Sequence, residues 1–340
     1  MKKTSTQLVL GLAIITGAYP ALAATVTMEQ LTRAWGLTPL AYEPFDYQAG
    51  VGLDGNCNGG YGFSGAWVPN LPSGGSLNNQ LITAGSLYYT DAYGNTVMGI
   101  GNKVHITGDG TAAGDNTGGA RANAQPRRAL SFQRGNENDS TWVAFLAVRT
   151  GLPYLYVTNG IEIYYGRATS VQLFQGTSSE RLTIGRASQN SEPLTILPKD
   201  TWALVNRGVA AYTSPTTVPL TNVPPNSTAN LIIVRIDHQA GDDRVNAPDT
   251  AYIWINPENI LDLPTENALA VSFAGDGERD YWFDTIRLFA GSFNVSNPVG
   301  YGSADIDEII IAVPEPTTLA LFAICAAAAL HGQRKRSQLA

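Results

Sequence analysis

Cysteine is almost missing from this chain. Of its two, Cys57 and Cys325, the second lies in an apolar run near the C-terminus. The body therefore holds one thiol and no internal disulfide, so its stability must come from a core. No basic residue stands near Cys57 in Gly55-Asn56-Cys57-Asn58-Gly59-Gly60, so a passive small side chain is expected rather than an activated thiolate. Histidine is equally scarce, at three, and no Cys/His cluster of zinc-binding spacing occurs. Positive charge is short as well. The two termini carry five of the 21 Lys and Arg residues but one of the 28 acidic ones, leaving 16 basic against 27 acidic side chains between them. A body this acidic lacks the positive footprint that a phosphate backbone requires, which excludes nucleic acid as a partner. Helix signals are few; Met28 to Ala34, capped by Thr27, is the best. Catalytic motifs are absent too. His105 follows the turn-rich Gly99-Ile100-Gly101-Asn102 and His238 ends a strand-like run, and neither has a motif-spaced nucleophile such as Gly-x-Ser-x-Gly. No catalytic residue is assigned, and a non-enzyme is expected.

What is present begins at the ends. Lys2 and Lys3 precede the apolar Leu8–Ile15, too short to span a bilayer, and Ala21-Leu22-Ala23 offers small residues for signal-peptidase cleavage at Ala21 and Ala23. Residues 1–23 are expected to be a signal helix and the mature chain to start at Ala24. At the other end, Leu319 to Leu330 carries no charge and no amphipathic stripe. With its flanks it makes a helix of about 24 Å, short for a hydrocarbon layer of about 30 Å but within reach of snorkelling and thinning. Arg334, Lys335 and Arg336 follow at once and favour the cytoplasmic side, while Pro314 and Pro316 hold the approach extended. A single transmembrane helix is expected here, with residues 24–313 exported.

The order Val313-Pro314-Glu315-Pro316, short hydrophobic helix, basic terminus resembles the PEP-CTERM sorting signal of Gram-negative bacteria. The resemblance covers residues 313–340. It implies that an exosortase-type membrane enzyme recognises Pro314, Glu315 and Pro316, that Arg334, Lys335 and Arg336 act as the stop, and that the protein is delivered to the cell surface, outer membrane or extracellular matrix. The membrane contact is then transient, a temporary address like a GPI signal. The alternative is a permanent C-terminal anchor.

Residues 24–312 read as β-sheet. Strand-like runs rich in β-branched and aromatic residues stand near Gln80–Tyr89, Thr141–Val148, Ile161–Tyr165, Arg181–Ile184, Asn230–Asp237, Ala251–Asn256, Trp282–Phe289 and Glu308–Ala312. The stretch from Trp142 to Val148 is apolar on both faces, the mark of a central strand covered on each side. Asn230–Asp237 alternates only toward its end, where it leaves the core. The pattern predicts one all-β domain, an antiparallel two-sheet sandwich or jelly roll. Tyr42-Glu43-Pro44-Phe45-Asp46-Tyr47 with Gly62-Phe63-Ser64-Gly65-Ala66-Trp67, followed by the later strands, resembles concanavalin A-like (laminin G-like) domains. That resemblance implies a fold shared by lectins, adhesion modules and glycan-cleaving enzymes, so function has to come from the site.

The expected function is a non-catalytic binding or structural module with extracellular polysaccharide as its partner. The alternative is a glycan-active enzyme, a hydrolase or lyase, on the same fold. A retaining glycosidase needs two carboxylates about 5 Å apart. Asp305-Ile306-Asp307-Glu308 puts Asp305 and Asp307 on one face and Glu308 on the other, which departs from that pattern and reads as a polar strand start. For sugar stacking, Trp67 between Gly65 and Pro69 and Tyr93 in Asp91-Ala92-Tyr93-Gly94-Asn95 are the candidate exposed rings. Trp142 and Trp254 are expected in the core, and Trp282 with them, on one face with Ile286 and Leu288. The cofactor the sequence would accept is calcium, whose hard-oxygen ligands would centre on Asp242 and Asp243 in the loop from Asp237 to Asp249.

Overall fold

The helix begins where its cap stands. The Thr27 hydroxyl accepts from Gln30 N and the Gln30 side chain accepts from Thr27 N, closing a capping box over α1 (Met28–Ala34). The computed structural model describes residues 23–71, 75–110, 123–135, 138–152, 154–158, 161–165, 169–186, 202–206, 209–212, 229–239, 249–263, 269–272, 281–293 and 300–315. Strands run β1 (Thr25–Thr27), β2 (Leu37–Glu43), β3 (Gln80–Thr83), β4 (Tyr88–Thr90), β5 (Thr96–Met98), β6 (Lys103–Thr107), β7 (Arg127–Arg134), β8 (Ser140–Leu152), β9 (Tyr154–Thr158) and β10 (Ile161–Tyr165). They continue as β11 (Thr169–Gln175), β12 (Ser179–Arg186), β13 (Ala203–Asn206), β14 (Val209–Tyr212), β15 (Asn230–Asp237), β16 (Thr250–Ile255), β17 (Leu269–Ser272), β18 (Phe283–Ala290), β19 (Ser292–Phe293) and β20 (Gly300–Pro314).

Two sheets carry the sandwich. The larger has the order β17-β16-β15-β8-β20-β6-β3, with β2 and β19 also paired to β20; the smaller has the order β14-β13-β12-β11-β18-β7. The predicted antiparallel two-sheet architecture is present. β8 is central, and its alternation feeds two cores at once. Val143, Phe145 and Ala147 meet Val171, Leu173, Leu182, Ile286 and Leu288 of the smaller sheet between the layers. Ala144, Leu146 and Val148 point the other way, under Met28 and Leu31 of α1 and Leu87, Tyr89 and Val97 of a small β1-β5-β4 sheet. A strand with apolar side chains on both faces needs a cover on both, and this one has it. β15 leaves the core where expected, with Arg235 and Asp237 only half-buried.

The expected strand Gln80–Tyr89 is two strands. Gly85 has φ +84, so the chain turns there, sending β3 to the larger sheet and β4 to the small cover. β20 is longer than expected and changes partner along its length. β6 pairs with Ser303–Ile306 and β2 with Ile309–Pro314, and the register against β8 shifts between Asp307 and Ile310. Glu308 sits in that bulge with φ +56, a costly conformation for a side chain with a Cβ. Among the described residues no helix is long and apolar enough to cross a membrane; both expected terminal helices lie outside them.

Candidate functional site

The sorting residues start on the last rung of β20. Pro314 opposes Leu37, Glu315 N donates to Gly36 O at 3.1 Å, and both residues are exposed. A proline without an N–H is tolerated at a strand terminus. Pro316, Arg334, Lys335, Arg336 and Ala21 lie outside the described residues, while Ala23 is exposed near Gly94.

Trp67 is not an exposed ring. It is fully buried, stacked 5.8 Å from Phe45, and its Nε1 donates to Glu43 Oε2 at 2.7 Å. The cause is a buried ion pair between Glu43 and Arg128, which demands donors and acceptors all round. Glu43 also accepts from Phe45 N at 2.8 Å and the Tyr47 hydroxyl at 2.9 Å. Arg128 donates to Gly65 O, Gly59 O and Asn58 Oδ1, so the glycine-rich loop serves as a carbonyl cage. Burial pushes the Glu43 carboxyl up, against the pull of Arg128. Cys57 lies in this loop, buried, its thiol also pushed up by burial. Tyr93 is 63% exposed on an Asx turn in which Asp91 Oδ1 accepts from Tyr93 N and Asn95 N.

The other tryptophans also differ from expectation. Trp142 is half-buried, within a stack in which Trp35 lies 6.1 Å and Trp254 5.5 Å away, with Arg235 over Tyr252 at 4.4 Å. Only Trp254 of that pair is core. Those rings spend their faces on one another. Trp282 is half-buried too, because the strand begins at Phe283 and a register shift follows it, so Phe283 takes the core position.

Both histidines among the described residues gain partners that spacing along the chain could not reveal. His105 Nδ1 lies 2.7 Å from Asp305 Oδ1 and its Nε2 3.2 Å from Ser303 Oγ. Ser303 Oγ is buried and donates to Ile106 O at 3.0 Å, so its proton is engaged by backbone. His238 is buried between Asp249 Oδ2 and Thr141 Oγ1, each at 2.9 Å. Asp249 also takes the N–H of Gln239 and Tyr281, which commits this end of the expected calcium loop to structure. Asp242 and Asp243 lie outside the described residues, and among the described residues no three metal-ligating side chains converge.

The acidic run is rearranged by the bulge. Asp305 and Asp307 do share the face away from the core. Glu308 joins them there instead of facing oppositely, because φ +56 inserts an extra residue before Ile309 resumes the core position. Asp307 accepts from Leu87 N at 2.9 Å; Glu308 accepts from Ile100 N at 2.6 Å and from the Tyr42 hydroxyl. Burial raises both carboxyls, that of Glu308 to about 7. These acids clip the small cover onto the larger sheet, each oxygen taken by a donor or by the neighbouring backbone.

The outer face of the smaller sheet is different in kind. Apart from Arg128, its inward positions are mostly apolar, and the cross-strand register places Arg127, Arg287, Gln172 and Thr183 opposite one another on four adjacent strands, facing away from the core. Arg287 Nε donates to Gln172 Oε1 at 2.6 Å, Gln172 Nε2 donates to Thr183 Oγ1 at 3.3 Å, and Glu180 accepts from Thr183 and, at 3.3 Å, from Arg287. Arg287 also lies 4.0 Å over the Phe174 ring. On this face Gln172, Thr183 and Phe174 are buried, while Arg127 and Arg287 are half-buried. No spacing rule in the sequence reaches it, since its residues come from four separated strands.

Residues 312–335 match the PEP-CTERM protein-sorting motif. The motif marks an exported protein whose tail is handled by an exosortase-type enzyme. No curated protein matches the chain. Among solved structures, the chain is similar to an alginate lyase, AlgAT5 of polysaccharide lyase family 7, at 9% identity and a TM-score of 0.34, covering 66% of this chain and 81% of that one. A lectin from Bauhinia forficata in complex with GalNAc gives 9% identity and a TM-score of 0.28 over 73% of this chain and 98% of that one. The carbohydrate recognition domain of Emp47p gives 10% and 0.28 over 70% and 90%.

Proposed function

We propose that residues 24–312 are an exported, surface- or matrix-associated sandwich that binds extracellular polysaccharide without turning it over, and that residues 313–340 are its sorting segment. One observation carries the reading. The sorting motif begins on the closing residues of β20, and every described strand lies upstream of Glu315, so processing of the tail cuts no described strand. The non-catalytic part is supported by the commitment of Asp307, Glu308 and Ser303 to backbone donors and acceptors, which leaves no open carboxylate pair around the acidic run. The test incubates the mature protein with a panel of bacterial and plant polysaccharides, following gel retardation and new reducing or unsaturated ends together. Retardation with no new ends is expected. New ends that grow in proportion to protein would replace the binding module with the glycan-active enzyme.

A further inference from the structure

The sorting motif is not a free tail at its start. Its matched residues begin at 312, inside β20, where Pro39 opposes Ala312, Thr38 opposes Val313 and Leu37 opposes Pro314 across the ladder to β2. A further bond follows, Glu315 N donating to Gly36 O at 3.1 Å. Bonded and non-bonded pairs alternate along an antiparallel ladder, so Thr38 and Val313 form the next bonded pair inward, and Pro39 and Pro314 fall where no N–H faces the partner strand. The pairing with β8 ends at Ala312 and Trp142. From Val313 onward, among the described residues, β2 alone stays paired with the strand. Gly36 aims the last acceptor. It joins α1 to β2 at φ +72, a left-handed conformation that is costly for a residue with a Cβ, and its own N–H donates to Arg33 O at 2.9 Å. The side chains of Pro314 and Glu315 are exposed, yet the backbone between them and the body is committed to β2.

We propose that residues 36–38 are a latch on the sorting motif: they hold Val313, Pro314 and Glu315 as a strand of the folded body, and the exosortase-type enzyme acts on the molecules in which that latch is open. The proposal rests on the reading of residues 313–340 as the sorting segment and adds a control over when that segment is processed. Peptide segments are taken up by their partners through backbone hydrogen bonds. The Glu315 N–H cannot serve Gly36 O and a cleft at once. Release of this end leaves the core in place, because Ile311 and Ala312 are paired with β8 as well as β2, whereas the stretch beyond them departs by breaking bonds to β2 alone. Strand ends open locally at far lower cost than the whole fold. The processing rate then follows the open fraction, as binding to any fractionally populated state does.

Pulse-labelling of the full chain in cells that hold the processing enzyme, with tail loss followed over time by gel shift, tests it. Gly36→Val strains the turn without a clash, since nothing lies within 4 Å of the added Cβ, and it leaves the matched residues untouched. Tail loss should become about fivefold faster or more, the scale of one net backbone hydrogen bond. Gly36→Asn, which tolerates the left-handed conformation, should run at the parent rate. Thr38→Cys with Val313→Cys joins facing positions whose Cα atoms lie about 5.5 Å apart, within disulfide range. The oxidised double variant should lose its tail at least about fivefold more slowly than the same variant after reduction. Val171→Ala in the core of the smaller sheet loosens the body away from β2 and should leave the rate unchanged. Equal acceleration by Val171→Ala and Gly36→Val, or equal rates for the oxidised and reduced double variant, would overturn the latch and leave the sorting segment standing. A parent chain that never loses its tail would remove both.

Discussion

The two sheets spend their outer faces in opposite ways. The larger sheet turns Ala144, Leu146, Val148, Ile233 and Ile310 outward, and α1 with the small β1-β5-β4 sheet covers them. The smaller sheet turns Arg127, Arg287, Gln172 and Thr183 outward and pairs many of them with one another. Burying an aliphatic side chain contributes about 1.5–3 kcal/mol, whereas a buried polar chain only breaks even when fully satisfied. One outer face is therefore spent on burying apolar side chains, and the other on a largely buried row of polar ones that satisfy one another. The lesson is that one sandwich can cover an apolar outer face with separate elements and satisfy a polar one from within its own strands.

Arginine substitutions give the largest contrast. Arg128→Met strips the inward-facing partner from buried Glu43 and should cost about 3–5 kcal/mol in urea unfolding, whereas Arg287→Met on the outer face should cost about 1 kcal/mol. Equal costs would erase the distinction between the faces.

Next comes pH. Glu308, beneath the cover of the larger sheet, has its carboxyl raised from 4.5 to about 7, chiefly by burial. Ionising it is thus harder in the folded protein than in the unfolded chain. Its favourable contribution is fully present below about pH 4.5 and is lost as pH rises through about 7, a change of about 3 kcal/mol for the shift shown. Asp307, raised in the same direction, reinforces it. Unfolding midpoints should therefore fall between pH 5 and pH 8, and Glu308→Gln should flatten the slope; a midpoint that climbs over that interval would contradict the clip. Removing the helix cap with Thr27→Ala should cost about 1 kcal/mol, measured by thermal unfolding, because α1 is part of the cover. Tyr93→Ala at an exposed turn should change stability by less than about 0.5 kcal/mol, and a larger loss would place that ring in a packed interface.

Much of the architecture was legible in the chain, and the reasons are local. α1 announces itself by Thr27 and Gln30, β15 by its run of aliphatics, and β8 by being apolar at every position from Val143 to Val148. β7 escapes because one of its inward positions is Arg128, whose partner Glu43 comes from a distant strand. Trp67 looks exposed between Gly65 and Pro69 for the same reason, since the carboxylate that draws its indole inward is out of sequence range. Glu308 defeats simple alternation because the partner of β20 changes from β6 to β2 beside it. The polar row is illegible for a further reason: it exists only in the register of four strands, and register is set by tertiary pairing rather than by any one segment.

The intact mass of the protein recovered from the cell surface tests the central claim most directly. The account predicts a chain that starts at Ala24 and has lost the Leu319–Leu330 run along with the basic terminus. A surface protein whose mass still includes that run, or a full-length chain residing in the cytoplasm, would contradict it.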